Sequence, residues 1–358
     1  MARVKAYIKT DVLTEARKRI HHIFDLFDTV VVMFSGGKDS LAVLHLTHEV
    51  MQERGITKPL DVVFRDEELI PDEVIDFVNE YRQLPWINMV WFAVPLASSK
   101  YVLGVSHSYV QWDAARKWVR PKPEWAESLP AGDNRVFDQY TMDSFTAQRY
   151  RGKIAFLTGI RASESLIRYR ASVNKLNENY INAVSDPTCR NVNLCKPLFD
   201  WEENDIFRYF YDAGIRYCDL YDLQMWAGNS LRVSTPLHAE SAKRFDIIKG
   251  TTPDFYQRVI DVFPEMLVQE RYYKEIDKTV VVERYGQTYD GVRLWIDENI
   301  EDEKTYDLAV RRFNQTMAMD GKPSSQALLQ IFMSGAFKRV ISIMSRSNRN
   351  ASERAAAR

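Results

Sequence analysis

The chain of 358 residues is 46% hydrophobic, enough for one large α/β domain with an appendage or for two domains. Its 48 basic residues nearly cancel 49 acidic ones, so no whole-chain field draws it to nucleic acid or an anionic membrane, and any such contact must be a local patch. No apolar run approaches the ~18 residues needed to span a bilayer, and the opening MARVKAYIKTDV lacks the apolar core of a signal peptide; a cytoplasmic location without membrane contact is expected.

In chain order, Val12, Leu13, Ala16, Ile20, Ile23 and Phe24 recur at three- and four-residue steps, which predicts an amphipathic helix over 11–28. Residues 29–34 (TVVVMF) form a continuous apolar, β-branched run, the pattern of a strand buried on both faces of a parallel sheet. A glycine turn follows, then helical spacing of Leu41, Leu44, Val50 and Met51 over 40–53, ended by Gly55. The pattern repeats with a strand at 60–64 (LDVVF), a helix at 71–81 with Pro71 in its first turn, and a strand at 88–94. Residues 97–135 break the rhythm with aromatics, bases and prolines, and read as an insertion near the substrate mouth. A helix at 137–150 and a strand at 153–158 (KIAFLT) resume it, and that strand runs into Gly159, Ile160 and Arg161. A short strand at 196–200 and a helix at 201–211, acidic near its positive end, close the series.

Strands alternating with helices predict an α/β fold with a doubly wound, mostly parallel, Rossmann-like sheet. Beyond residue 250 the signals are mainly helical. The expected organisation is a core domain over 1–225, a mainly helical C-terminal region over 226–345 and a frayed tail over 346–358.

Two of the predicted strands end in glycine-containing loops, where a sheet of this type places ligands. In the first, Ser35, Gly36, Gly37, Lys38, Asp39 and Ser40 lead from strand to helix. The glycines let backbone N–H groups turn inward as an anion nest, the helix start adds its positive pole, and Lys38 and Ser40 add charge and a hydrogen bond. The spacing is not that of a Walker A loop, which excludes a GTPase or motor reading.

SGGKDS at 35–40, with FSGGKDSLAVLHL at 34–46, VVFRDEELIPDEVIDFV at 62–78, GIRASESLIR at 159–168 and KPLFDWEENDIFRYF at 196–210, resembles the PP-loop ATP-pyrophosphatase superfamily. Within it the chain is most similar to the phosphoadenosine-phosphosulfate (PAPS) reductase-like branch, of adenine nucleotide alpha hydrolase type. The resemblance implies that ATP or a similar adenine nucleotide is bound and cleaved between its α and β phosphates, giving an adenylylated acceptor and pyrophosphate. It places the pyrophosphate end on Ser35–Ser40 and a ribose or adenine contact at Asp66. Arg161, after Gly159, is set to stabilise charge on the α phosphate. Glu164, Ser165 and Arg168 continue that face, with an i,i+4 ion pair between Glu164 and Arg168 as the plainer account. Mg²⁺ is expected as a charge partner held mainly through the phosphates.

The chain departs from the family in its thiols. Sulfonucleotide reductases carry a nucleophilic cysteine near the C-terminus, whereas the last cysteine here is Cys218, so reduction of PAPS or adenylyl sulfate is not expected. Iron–sulfur relatives place a cysteine pair after an L-Y-D segment; here Leu220, Tyr221 and Asp222 lead into GNSLRVSTP, which leaves a cluster without ligands. Cys189, Cys195 and Cys218 fit no zinc or ferredoxin spacing and read as reduced thiols, with a sulfur-carrying role for Cys189 or Cys195 as the alternative. His45 and His48, on the helix after the loop, read as packing residues.

Tyr109, Trp112, Trp118 and Trp125 interleave with Arg116, Lys117, Arg120 and Lys122. An aromatic lid is the favoured reading, with single-stranded nucleic acid or a second nucleotide as the other. The chain also resembles phage- and prophage-borne PAPS reductase-like proteins with a helical C-terminal extension, which implies a ParB-like partner. A nucleotide-sensing regulatory protein without turnover and a component of nucleic-acid sulfur modification stand as alternatives to the enzyme.

Overall fold

The computed structural model describes residues 9–338 apart from 166–167, 170–178, 185, 187–188, 229–230, 244 and 274–277. Helix α1 (Val12–Leu26) opens the fold, with the Asp11 carboxylate accepting from the Thr14 N–H at 2.8 Å as N-cap. It buries Ala16, Ile20 and Ile23 against the sheet. Strand β1 (Thr29–Met33), helix α2 (Lys38–Glu53), strand β2 (Leu60–Arg65), helix α3 (Asp72–Arg82) and strand β3 (Ile87–Phe92) follow in the predicted order. An insertion carries strands β4 (Leu96–Val102) and β5 (Val105–Gln111), and helix α4 (Gln139–Ala147) leads back to strand β6 (Ile154–Leu157). Strands β7 (Ile181–Ala183) and β8 (Val192–Cys195) precede helices α5 (Glu203–Ala213) and α6 (Leu220–Trp226).

The main sheet runs β3-β2-β1-β6-β8-β7, parallel throughout except for the antiparallel β7 edge. Alternate residues bury on opposite faces. Val32, Phe34, Val62 and Phe64 join the core under α1, α2 and α3, while Val31, Val63, Phe92 and Phe156 join the core under α4. Burial on both faces is why these strands read as unbroken apolar runs. The chain winds outward from β1 to β3 and then returns to β6 on the other side of β1. The crevice between the C-terminal ends of β1 and β6 is therefore a topological switch point.

Two predicted elements differ. The strand expected at 196–200 lies at Val192–Cys195, and 196–200 instead forms turns, with Phe199 N–H donating to the Lys196 carbonyl. Pro197 has no N–H for a sheet ladder, so pairing ends ahead of it. The insertion contains an antiparallel hairpin, β4 with β5, closed by Leu103 and Gly104 at φ 45 and 91. Two successive residues at positive φ match the right-handed twist of a hairpin. A leucine in the first of them hid that turn from the sequence.

The hairpin packs on the helices between 245 and 273, sharing a core in which Tyr101 and Val119 meet Phe245, Phe255, Val259 and Met266. Helices between 278 and 333 bury a further core around Trp295, Ile296, Phe313, Leu328 and Phe332. The tail at 346–358 lies outside the described residues. No helix among the described residues is long and apolar enough to cross a membrane.

Candidate functional site

The loop after β1 is closed by its own side chains. Ser40 Oγ accepts from the Ser35 N–H at 3.1 Å, donates to the Gly37 carbonyl at 2.9 Å and lies 3.0 Å from Ser35 Oγ. Gly36 has φ 75, and a Cβ there would stand 2.7 Å from Val74 Cγ1 and 2.8 Å from Val78 Cγ2. Its role is to let the loop turn left-handed and lie against α3.

Lys38 is buried at the first turn of α2. Its ammonium meets Asp39 Oδ2 at 3.1 Å, Glu203 Oε2 at 3.2 Å and the Leu231 carbonyl at 2.9 Å. Its backbone N–H donates to the hydroxyl of Tyr221 at 2.8 Å. Tyr221 is wholly enclosed, and burial pushes its phenol well above the usual range. Arg161 is 5% exposed; its Nε pairs with Asp39 Oδ1, and its Nη1 donates to Ser163 Oγ at 3.0 Å, which in turn donates to the Trp201 carbonyl at 3.1 Å. Two buried cations thus converge on one carboxylate at the start of a helix.

Gly159 makes that convergence possible. A Cβ at this position would fall 2.4 Å from Asp39 C and 2.5 Å from Ser40 N, so only glycine lets the β6 loop rest on the α2 turn. Beyond it, Glu164 Oε2 accepts from the Arg161 N–H at 2.9 Å and pairs with Arg168, and Ser165 Oγ accepts from the Arg168 N–H at 3.2 Å. The i,i+4 pair is therefore made, and the same carboxylate also fixes the Arg161 backbone.

These residues line one cleft of about 1220 Å³ at the C-terminal ends of β1, β2, β6 and β8. It brings together Ser35, Gly37, Lys38, Asp39, Ser40, Gly159, Arg161, Glu164, Ser165 and Arg168. Among the described residues its wall carries five basic side chains and six acidic ones.

Asp66, expected to make a ribose or adenine contact, lies outside the cleft lining. Its side chain is wholly buried, pairs with Arg120, and accepts from Trp91 Nε1 and from the Glu68 N–H, each at 2.9 Å. Its neighbours Arg65 and Glu67 line the cleft in its stead. Arg65 pairs with Asp143 of α4, and burial raises the Glu67 carboxyl above its usual range, with the Arg65 charge opposing. Val63 and Arg65 of β2 and Glu67 just past its end line the cleft at alternate positions, and Asp66 between them does not. Tyr221, Glu203 and Arg232 also line the cleft, and nothing in the loop motif points to them.

A family profile described as the phosphoadenosine phosphosulfate reductase domain matches residues 29–274. The chain belongs to this family, within the PP-loop superfamily. Among curated proteins, this PAPS reductase family member is similar to YbdN of Escherichia coli (strain K12), itself uncharacterized, at 27% identity over 244 residues, 65% of this chain and 59% of that protein. The chain thus spans less than two thirds of that relative's length. Among solved structures it is similar to the FMN adenylyltransferase of Candida glabrata (TM-score 0.40, 14% identity, 61% of this chain and 62% of that one). It is also similar to the PAPS reductase of Candida auris (TM-score 0.36, 16% identity, 64% and 98%). A U34-tRNA thiolase, NcsA of Methanococcus maripaludis, scores 0.32 at 14% identity, covering 75% and 82%. Scores this low carry no inference about ligand or activity.

In this PAPS reductase family member, Cys189, Cys195 and Cys218 lie outside the cleft lining. Cys195 and Cys218 are buried in the core, and burial pushes the Cys218 thiol up to about 11. Among the described residues, no group of three or more His, Cys, Asp and Glu side chains could hold a metal ion. His238 lines the cleft with Nε2 3.1 Å from Ser98 Oγ, and burial lowers its pKa, which keeps it neutral. His45 meets the Tyr81 hydroxyl at 2.8 Å and His48 stacks on Trp86 at 4.1 Å, so both are packing residues.

The basic and aromatic stretch of the insertion is occupied internally. Glu68 takes both Arg116 terminal nitrogens at 2.7 and 2.6 Å, Arg120 pairs with Asp66, and Trp112 Nε1 donates to the Asp66 carbonyl at 2.7 Å. Lys122 lies over the rings of Trp112 and Trp118. These contacts lock the insertion to the end of β2.

Proposed function

We propose that the cleft binds ATP with its polyphosphate on Ser35–Ser40 and transfers the adenylyl group to an acceptor, releasing pyrophosphate. The observation that carries this reading is the pairing of buried Lys38 and Arg161 on Asp39, beside the positive end of α2, inside a cleft large enough for a nucleotide. An acceptor atom attacks the α phosphorus, the bond from that phosphorus to the bridging oxygen breaks, and pyrophosphate leaves with the electron pair. Arg161 stabilises the charge that grows at the α phosphate, and Lys38 that on the leaving group. Glu164 keeps Arg161 in place through its backbone N–H.

Mg²⁺ fits this cleft as a passenger on the phosphates. The wall already has one more acid than base, so a polyanion needs counter-charge. Asp39 and Glu203, the carboxylates beside Lys38, are the groups that would face it. A bound Mg²⁺ would supply charge neutralisation on the phosphate oxygens.

Reduction of a sulfonucleotide is not part of the proposal, because it needs a reactive thiolate at the nucleotide, and no cysteine is among the described residues that line the cleft. Phosphorus NMR of a reaction with MgATP tests the proposal. Pyrophosphate release, abolished in Lys38→Ala and Arg161→Ala, supports it, and ADP with orthophosphate overturns it. One observation favours a second reading, a nucleotide sensor: the three acceptors on the Lys38 ammonium use its full donor capacity. Tight ATP binding with no turnover in the presence of its acceptor would select that reading.

A further inference from the structure

Among the described residues, four of the five cations on the cleft wall are matched to carboxylates: Lys38 to Asp39 and Glu203, Arg161 to Asp39, Arg65 to Asp143 and Arg168 to Glu164. Arg232 is the fifth. It is exposed, it lines the cleft, and among the described residues its guanidinium makes no hydrogen bond or ion pair. Its backbone is nevertheless held on both sides. Gln224 Oε1 accepts from the Arg232 N–H at 3.0 Å, and Gln224 Nε2 donates to the Arg232 carbonyl at 2.7 Å.

The clamp reaches the phosphate loop by two routes. Gln224 and Tyr221 both stand on α6, and the Tyr221 hydroxyl accepts from the Lys38 N–H. The carbonyl of Leu231, one residue before Arg232, accepts from the Lys38 ammonium at 2.9 Å. A fixed backbone with a free, fully charged side chain beside an anion loop is the arrangement of a ligand-binding arginine. An arginine serving only solubility needs no such anchoring.

We propose that Arg232 is the polyphosphate clamp of this cleft, donating to non-bridging oxygens of the β and γ phosphates held on the SGGKDS loop. Among the described residues of the wall, it supplies the one guanidinium that need not abandon a carboxylate partner to do so. The inference rests on the reading that the cleft takes a nucleotide, and it adds a ligand preference: di- and triphosphates over monophosphates.

Calorimetric titration of the full chain and its Arg232→Ala, Arg232→Lys and Lys38→Ala variants with MgATP, AMP and inorganic pyrophosphate tests this. Arg232→Ala should weaken MgATP and pyrophosphate by about 10- to 100-fold, the range for a lost charge-assisted hydrogen bond, and leave AMP within about twofold. Arg232→Lys should recover part of the loss, because the charge returns without the fork. Wild-type affinity for MgATP in Arg232→Ala, with binding lost in Lys38→Ala, overturns the clamp and leaves the nucleotide reading standing. An equal loss for AMP and MgATP also overturns it. A wild-type chain that binds neither MgATP nor pyrophosphate overturns both.

Discussion

Gly159→Ala is the substitution whose consequence follows most directly from the geometry. Its new Cβ would stand 2.4 Å from Asp39 C, 2.5 Å from Ser40 N and 2.6 Å from Asp39 O, where ordinary contact begins at 3.4 Å. All three atoms are backbone, so no side chain can rotate away, and the β6 loop and the first turn of α2 must separate by about 1 Å. Overpacking of this kind costs about 1–3 kcal/mol, and a misplacement of about 1 Å between groups that must converge lowers turnover by about 100-fold. Urea denaturation reads the first quantity, and MgATP affinity with pyrophosphate release reads the second. Gly250→Ala is the control: it lies in the helix Phe245–Thr251, and its Cβ would meet nothing within 4 Å. It should be neutral, or stabilising by up to about 1 kcal/mol. Should Gly159→Ala match the wild type in stability and nucleotide affinity while folding normally, the close approach of the two loops would be refuted.

Other substitutions separate scaffold from site. Asp66→Asn leaves Arg120 without its buried counter-charge and should cost about 3–5 kcal/mol of stability; unchanged denaturation with lost ATP affinity would return Asp66 to the ligand site. Tyr221→Phe deprives the Lys38 N–H of its acceptor, with an expected loss of about 1–3 kcal/mol seen as a lower urea midpoint. His45, held neutral by burial, has its pKa lowered from 6.5 to about 4. The unfolded chain therefore binds the extra proton first, and stability falls as pH drops from 6.5 towards 4. The fall is about 3 kcal/mol at most, and a stability profile flat over that window, or an NMR titration midpoint for His45 near 6.5, would contradict it.

The parallel core was legible because its strands are buried on both faces and its glycine loop is local in sequence. Val30 to Phe34 announce a central strand, and Gly36 to Ser40 announce a glycine loop entering a helix, within a dozen residues. The site beyond that loop was less legible because its partners come from far along the chain. Tyr221 reaches Lys38 across 183 positions and Leu231 across 193, and local pattern carries no trace of such pairings. Asp66 differs for another reason: the motif match counts positions, while alternation at and just past the end of β2 leaves Arg65 and Glu67, and not Asp66, on the cleft wall. The hairpin was hidden by Leu103 at a positive φ where Asn or Gly would have marked the turn.

The most direct measurement is a crystal structure of the full chain grown with Mg²⁺ and a non-cleavable α,β-methylene analogue of ATP. The account predicts the terminal phosphates against Ser35–Ser40 and Lys38, with Arg161 at the α phosphate. An analogue bound away from that loop, or a Lys38 ammonium still on Glu203 and the Leu231 carbonyl with no phosphate contact at saturating concentration, would contradict it.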